Sequence, residues 1–538
     1  MSRRRPSWRH IGIAAVLVGI VLIYRSFLEQ GHDWGDDYSL YINQARALVR
    51  GDVGQVVSDT RYILQNSGSD SFSPYVYPWG LPILLAPVYL VAGIDYRAFA
   101  WVMVISLVVF IWLFRRLIAP VIGSIGATSI AAVIALSTPY VWWSGSVTSD
   151  FPAIASVMVA LWWIDRCRRH GHFATSARAP LVVVGLLATW AFAIRREVVV
   201  VLVAAAAVQA LELRGARRRP RPTDTDGPGV PSSDEGRSPR WLDVAAPYWS
   251  FALSTGAFHL ALPASLEQQV DGGGAGQIWG NLTWYRDIFA EHVGLKKIGP
   301  NEIEVFGSHR LGLWLIGVLA LSAVLGLGIA MLRRREAEFA LAVYALCVSW
   351  IILTQPFHEG RYIFALTPML LLFSWIAVSW LVSPGRGESS GRGALAALAP
   401  FLLVAPLIVQ NADGFRHSWS YHREYDYIVH GPENPTAREM FDAVVRCTRG
   451  DDVVLFARAR AMNLYTNRRA IQTGDVNLGL QRADWMVLSN DDVDYYEPKV
   501  NESNYSGYGL VKVWSNAEFT MYRVGGVLPG RVEACPAQ

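Results

Sequence analysis

Residues 97–138 read RAFAWVMVISLVVFIWLFRRLIAPVIGSIGATSIAAVIALST, two long apolar runs parted by the pair Arg115-Arg116. A helix that crosses a bilayer needs about 20 mostly apolar residues, about 17 at the least, and must bond its own backbone because the hydrocarbon offers no water. Both runs, 97–114 and 118–138, reach that length, and the arginine pair falls where a charged loop belongs. Outward from this stretch the pattern recurs at 11–28, 150–164, 180–194, 197–213, 242–263, 311–332, 337–354, 362–382 and 394–410. The chain therefore reads as an α-helical polytopic membrane protein with about eleven transmembrane helices. The run at 78–93, PWGLPILLAPVYLVAG, is shorter and carries internal prolines, so it is expected to lie along the outer membrane face.

Composition agrees. Apolar residues make up 52% of the chain and charged ones 17%, against about a quarter charged in soluble domains. The 21 Trp, 22 Tyr and 21 Phe supply the aromatics that favour membrane interfaces. Mean hydropathy is +0.26 although the C-terminal stretch is polar. A net charge of +4 is too small to point to nucleic acid, and four cysteines make neither a disulfide scaffold nor a CxxC pair.

The basic residues set the topology. With Arg3, Arg4, Arg5 and Arg9 in the cytoplasm as the start of a retained signal-anchor, each inside loop is basic: Arg115-Arg116, then Arg166, Arg168 and Arg169, then Arg214 to Arg221, Arg333 to Arg335, and Arg386 with Arg392. Outside segments hold Asp33, Asp36, Asp37, Asp150, Glu267 and Glu359; the exception is Arg195-Arg196. This orientation makes the protein a multi-pass plasma (cytoplasmic) membrane protein. Residues 1–410 form the transmembrane domain, and 411–538 form a small extracytoplasmic α/β domain, read from the helical spacing at 436–446 and the strand-like runs 453–456, 485–488 and 510–514. Segments 214–240 and 383–393 are rich in Pro, Gly, Ser and charge and are expected to be disordered linkers, the first of them cytoplasmic. Cys447 and Cys535 either form an extracytoplasmic disulfide or remain thiols.

Four ionisable clusters gather on the outer face, and such residues at membrane level are candidates for function. The first is Gly31-His-Asp-Trp-Gly-Asp-Asp-Tyr38, where Asp36 and Asp37 start a helical pattern ending at Gly51; they are helix-capping acids or a general base. Asp150 opens a later span ahead of Phe151-Pro152, again as a cap or a functional acid. Arg195-Arg196 either snorkel to headgroups of membrane lipid or grip a lipid phosphate through the planar guanidinium fork. His358-Glu-Gly-Arg-Tyr362 is a plain interfacial turn or supplies Arg361 to the same phosphate.

In their order these features resemble the GT-C membrane glycosyltransferases, above all the branch of protein O-mannosyltransferases and lipid A aminoarabinose transferases. The resemblance spans residues 10–380: the acidic pair Asp36-Asp37 with Tyr41, Ala45 and Gly51-Asp52, the aromatic-proline segment Tyr77-Pro78-Trp79-Gly80-Leu81-Pro82, Asp150 before Phe151-Pro152, the basic turn Arg195-Arg196, and Arg361-Tyr362 ahead of Pro368. It departs from the family in having Asp-Asp where Asp-Glu is usual, and in its C-terminal domain. The resemblance implies Asp36 as catalytic base with Asp37 beside it, Asp150 as the second catalytic aspartate, and Arg195, Arg196, Arg361 and Tyr362 around the donor phosphate. The implied reaction moves a sugar from a polyprenyl-phosphate donor to an extracytoplasmic acceptor, such as an envelope glycan, a glycolipid or a protein, with inversion at the sugar carbon. A transporter or flippase would instead show mid-membrane charges in broken helices and repeated halves, neither of which the sequence displays; a non-catalytic scaffold of the same fold is the other alternative. No His pair or Cys–His cluster calls for a metal cofactor, yet Asp36, Asp37 and Asp150 would suit a divalent cation, Mg²⁺ or Mn²⁺, if they converged.

Overall fold

The computed structural model describes residues 19–68, 74–218, 241–264, 274–298, 302–334, 336–382, 390–424, 428, 430–490, 497–498 and 507–525. The N-terminal arginines, residues 11–18 of the first expected span, Glu267, Arg335, Arg386, Cys535 and residues 219–240 lie outside them. Among the described residues five helices are long and apolar enough to cross a membrane: Tyr96–Leu136, Arg196–Ala216, His309–Arg333, Ala337–Thr354 and Leu398–Ser420. Shorter apolar helices occupy Gly80–Ala92, Arg178–Ile194 and Leu366–Leu381, and Asp150–Arg169 packs among them. The protein is a mostly helical, multi-pass membrane protein.

The stretch 97–138 corrects its own reading. The helix runs straight through Arg115-Arg116 and breaks at Gly123, where φ is 80°. Arginine is a good helix former, so a basic pair marks where the chain leaves the apolar layer and not where the helix ends. Arg115 then clasps the two halves, donating from Nε to Thr128 Oγ1 at 2.9 Å and from Nη2 to Ser124 Oγ at 2.9 Å. For the same reason residues 214–218, expected in a linker, continue the Val201–Arg218 helix, and 390–393 begin the Ser390–Glu424 helix. Small residues let the helices close on one another: a Cβ on Gly326 would sit 1.7 Å from the Phe373 carbonyl oxygen.

The Gly80–Ala92 helix has 13 residues and, at about 1.5 Å per residue, falls short of a bilayer core about 30 Å thick. Its first residue abuts the end of the Arg178–Ile194 helix, because a Cβ on Gly80 would lie 2.6 Å from the Ala193 carbonyl oxygen. That contact brings the segment before it, Tyr75 to Trp79, alongside the Arg195 turn.

Toward the C-terminus a mixed five-stranded sheet forms in the order β4-β3-β5-β7-β6. Its strands are β3 (Val453–Leu455), β4 (Arg469–Ile471), β5 (Trp485–Ser489), β6 (Val511–Ser515) and β7 (Phe519–Arg523), numbered after a hairpin of β1 (Lys296–Ile298) and β2 (Glu302–Glu304). β3 pairs in parallel with β4 and β5, and β7 runs antiparallel to β5 and β6. The helix Pro435–Cys447 buries Met440, Phe441 and Val444 against the sheet. Ile63 joins that core from the Val53–Asn66 helix, and Trp34 packs edge-on against Phe441, Phe456 and Phe519. The first loop is thus held between the membrane helices and the sheet. Cys447 is disulfide-bonded, whereas Cys167 and Cys347 are free.

Candidate active site

The pattern Tyr41, Ala45, Leu48 forms the helix Asp37–Arg50, closed by Gly51 in the left-handed region. Its N-terminus is aimed by His32. The Val147 N–H donates to His32 Nε2 at 3.1 Å, so the ring proton sits on Nδ1 and is donated to the Asp33 carbonyl at 2.9 Å. Burial holds this imidazole neutral, pushing its pKa down to about 4, and the ring stacks on Tyr38 at 4.1 Å. The first loop is thereby tied to the 144–150 turn that carries Asp150.

Around that junction the structure gathers Asp37, Asp150, Arg195, Arg361 and Tyr362. Asp150 is 3% exposed; its Oδ1 accepts from Arg195 Nη1, and its Oδ2 lies 3.8 Å from Arg361 Nη1. Arg361 Nη2 donates to Asp37 Oδ2 at 3.2 Å, and the other oxygen of Asp37 accepts from the Tyr77 hydroxyl at 2.6 Å. Arg195 also pairs with Glu197, and its guanidinium lies 5.2 Å from the Tyr362 ring centroid. Glu359 stands 3.8 Å from Arg361 Nε, while Arg361 itself lies over the Trp143 ring at 5.3 Å. A buried carboxylate such as Asp150 is tolerable only with such partners, since desolvating an unpaired charge costs several kcal/mol. Burial pushes the Asp37 carboxyl upward, but Arg361, the Tyr77 hydroxyl and Arg460 outweigh it and hold the group below its ordinary range. The Asp37 side chain is 37% exposed, so the carboxylate is held ionised yet remains accessible.

Two predicted residues stand apart. Asp36 faces the sheet: with the Gln472 amide oriented to satisfy both its atoms, its nitrogen donates to Asp36 Oδ2 at 3.1 Å and to the Ala457 carbonyl at 3.0 Å. Burial pushes the Asp36 carboxyl up to about 6 despite Arg460 and Arg458 nearby, and its Oδ1 is buried with no hydrogen-bond partner. Arg196 lies near Glu197 and Tyr75 and pairs with neither Asp37 nor Asp150, and its Nη2 is likewise buried without a partner. His358 stacks near Trp284 at 5.4 Å and takes no part in the cluster. Among the described residues no three His, Cys, Asp or Glu side chains are grouped to hold a metal ion, and Asp37 and Asp150 both lean on Arg361.

No family model matches the chain, and no curated protein sequence matches it. Solved structures do. ArnT from Cupriavidus metallidurans in the apo state superposes with a TM-score of 0.51 at 12% identity, covering 96% of this chain and 98% of that one. This chain has the fold of ArnT. The same ArnT bound to undecaprenyl phosphate gives a TM-score of 0.51 at 12% identity, over 95% of this chain and 98% of that chain. An Archaeoglobus fulgidus oligosaccharyltransferase in the apo form gives 0.49 at 12% identity, over 98% of this chain and 75% of that one. The expectation drawn from motif order therefore holds at the level of fold.

Sequence reasoning did not single out Tyr77, Arg458, Arg460 or Gln472 as parts of the site. Tyr77 was within reach, as a hydroxyl in the aromatic-proline segment. Arg458, Arg460 and Gln472 had no local signal, because their contacts join residues separated by about four hundred positions.

Proposed function

We propose that the protein is a glycosyltransferase that moves a sugar from a polyprenyl-phosphate donor to a hydroxyl acceptor outside the cytoplasm. The observation that carries this reading is the sharing of Arg361 between Asp37 and Asp150 beside Arg195, in a chain with the fold of ArnT. Solved ArnT with undecaprenyl phosphate lends support for the donor class. In the proposed step the acceptor oxygen attacks the anomeric carbon as the bond from that carbon to the phosphate oxygen breaks. The hydroxyl proton passes to a carboxylate, and the lipid phosphate leaves with the electron pair. Asp37, ionised and accessible, is our choice of base over Asp36. Arg195 and Arg361 would meet the charge growing on the phosphate. Tyr362 backs Arg195, and Asp150 aligns both guanidiniums.

The alternation of basic loops supports about eleven spans in the plasma membrane, a cytoplasmic N-terminus and an extracytoplasmic C-terminal domain of residues 411–538. The chemistry is assigned to these side chains with no step through a divalent cation. The test is sugar transfer from a panel of synthetic polyprenyl-phosphate sugars by purified wild type, Asp37→Asn, Asp36→Asn and Arg195→Ala. Transfer that collapses in Asp37→Asn supports the reading. Lipid binding without transfer or donor hydrolysis across the panel would sink it in favour of a flippase or a scaffold.

A further inference from the structure

The C-terminal domain reaches into the site. Its helix Ala459–Thr466 docks on the Asp37–Arg50 helix through Asn43 Nδ2, which donates to Asn463 Oδ1 at 2.7 Å, and Arg46 Nη1, which donates to the Leu464 carbonyl at 2.9 Å. The Tyr465 and Tyr96 hydroxyls add a bond of 2.7 Å. These contacts seat the domain, yet beside them the fold also buries a cation. Arg460 is 2% exposed. Its Nη2 donates to the Pro74 carbonyl at 3.1 Å, its guanidinium lies 5.6 Å from the Tyr77 ring centroid, and its backbone N–H donates to Asp36. Sequestering a guanidinium is costly, so docking already supplied by the Asn43, Arg46 and Tyr96 bonds leaves its presence to be explained by what it touches. What it touches is the Pro74–Tyr77 segment, and Tyr77 donates to Asp37 at 2.6 Å.

We infer that Arg460 is a positioning residue for the transfer reaction: it clamps Pro74 and the Tyr77 ring so that the Tyr77 hydroxyl fixes Asp37 toward Arg361, making the site complete only when the C-terminal domain is seated. The inference rests on the glycosyltransferase reading above. Arg460 acts through Tyr77, and it also adds positive charge near Asp37. The other groups facing Asp37 are Arg361, Tyr77, Tyr41, Glu359, Asp36 and the neutral His32.

The experiment is a double-mutant cycle on the full-length protein, with kcat, donor KM and the pH profile of transfer measured for wild type, Arg460→Ala, Tyr77→Phe and the pair. Arg460→Ala is expected to lower kcat about tenfold or more with donor KM little changed, as misplacing a reacting group by about an ångström can cost a hundredfold. The acid limb of its pH profile should move to higher pH, because Asp37 loses a nearby cation. The double variant should be little worse than either single one, since both break the same chain of contacts. Arg460→Lys keeps the charge and should keep the wild-type acid limb while losing a few-fold in kcat, which serves if the alanine variant does not fold. Asn463→Ala loosens the same docking surface without removing charge, and its acid limb should stay in place. Additive losses, unchanged kcat in both Arg460 variants, or an equal acid-limb shift in Asn463→Ala would overturn the inference while leaving the enzyme standing. Wild type that transfers no sugar would remove both.

Discussion

Asp36 and Asp37 are neighbours in sequence and belong to different halves of the molecule. Asp37 turns toward the membrane helices, where Arg361 and Tyr77 keep it ionised and more than a third of its side chain is exposed. Asp36 turns toward the sheet, where burial raises its carboxyl to about 6 and Gln472 and the Arg460 backbone receive it. One peptide bond thus separates a carboxylate wired to Arg361 from one wired to the C-terminal sheet. The lesson is that a motif of two acids is not two copies of one role, because a helix start points successive side chains in directions about 100° apart.

The sharpest way to break this comparison is to neutralise each acid in turn. Asp37→Asn is expected to lose about a hundredfold or more in transfer, the lower end of general-base effects, whereas Asp36→Asn should lose less than about tenfold. Equal losses, measured as kcat/KM with one donor, would dissolve the distinction. Removing the shared cation comes next. Arg361→Ala strands a buried Asp150 and should destabilise the folded protein by about 3–5 kcal/mol, read as a lower midpoint in thermal unfolding of detergent-solubilised protein. A midpoint like that of wild type would mean that Arg195 alone satisfies Asp150.

The two carboxyls should also answer oppositely to pH. The raised Asp36 contributes stability that is present below its unfolded value near 4 and is lost as pH rises through about 6. Asp36→Asn is therefore expected to raise the unfolding midpoint at pH 7.5 relative to wild type, with about half that effect at pH 5. The lowered Asp37 contributes in the other sense, with stability present above about 4 and lost as the pH falls further, so Asp37→Asn should lower the midpoint at pH 7.5. The smallest effect is expected from metal removal. With Asp37 and Asp150 already balanced on Arg361, chelation by EDTA should leave initial transfer rates unchanged, and a loss restored by Mg²⁺ or Mn²⁺ would reassign those carboxylates.

Much of the site was legible. Asp37, Asp150, Arg195, Arg361 and Tyr362, scattered over more than three hundred positions, were singled out as charges beside apolar runs, and the structure brings them together. What escaped was orientation. Arg196 shares a turn with Arg195 and pairs with neither Asp37 nor Asp150, and the helix that was expected to end at Arg115-Arg116 ends at Gly123. β7, Phe519–Arg523, showed no plain apolar run because Thr520 and Arg523 interrupt it, although all five residues are buried between β5 and β6.

By itself the sequence determined that this is a multi-pass helical membrane protein with ionisable clusters at the ends of apolar runs. Those features follow from local composition, since a bilayer demands about 20 apolar residues per crossing and makes intramembrane charge costly. Only the tertiary structure decided which acid meets which arginine, that Trp34 and Ile63 complete the core of the C-terminal sheet, and that Arg460 lies under Tyr77. Such pairings depend on how distant segments pack and on which side chains can be desolvated together, and no window of neighbouring residues contains that information.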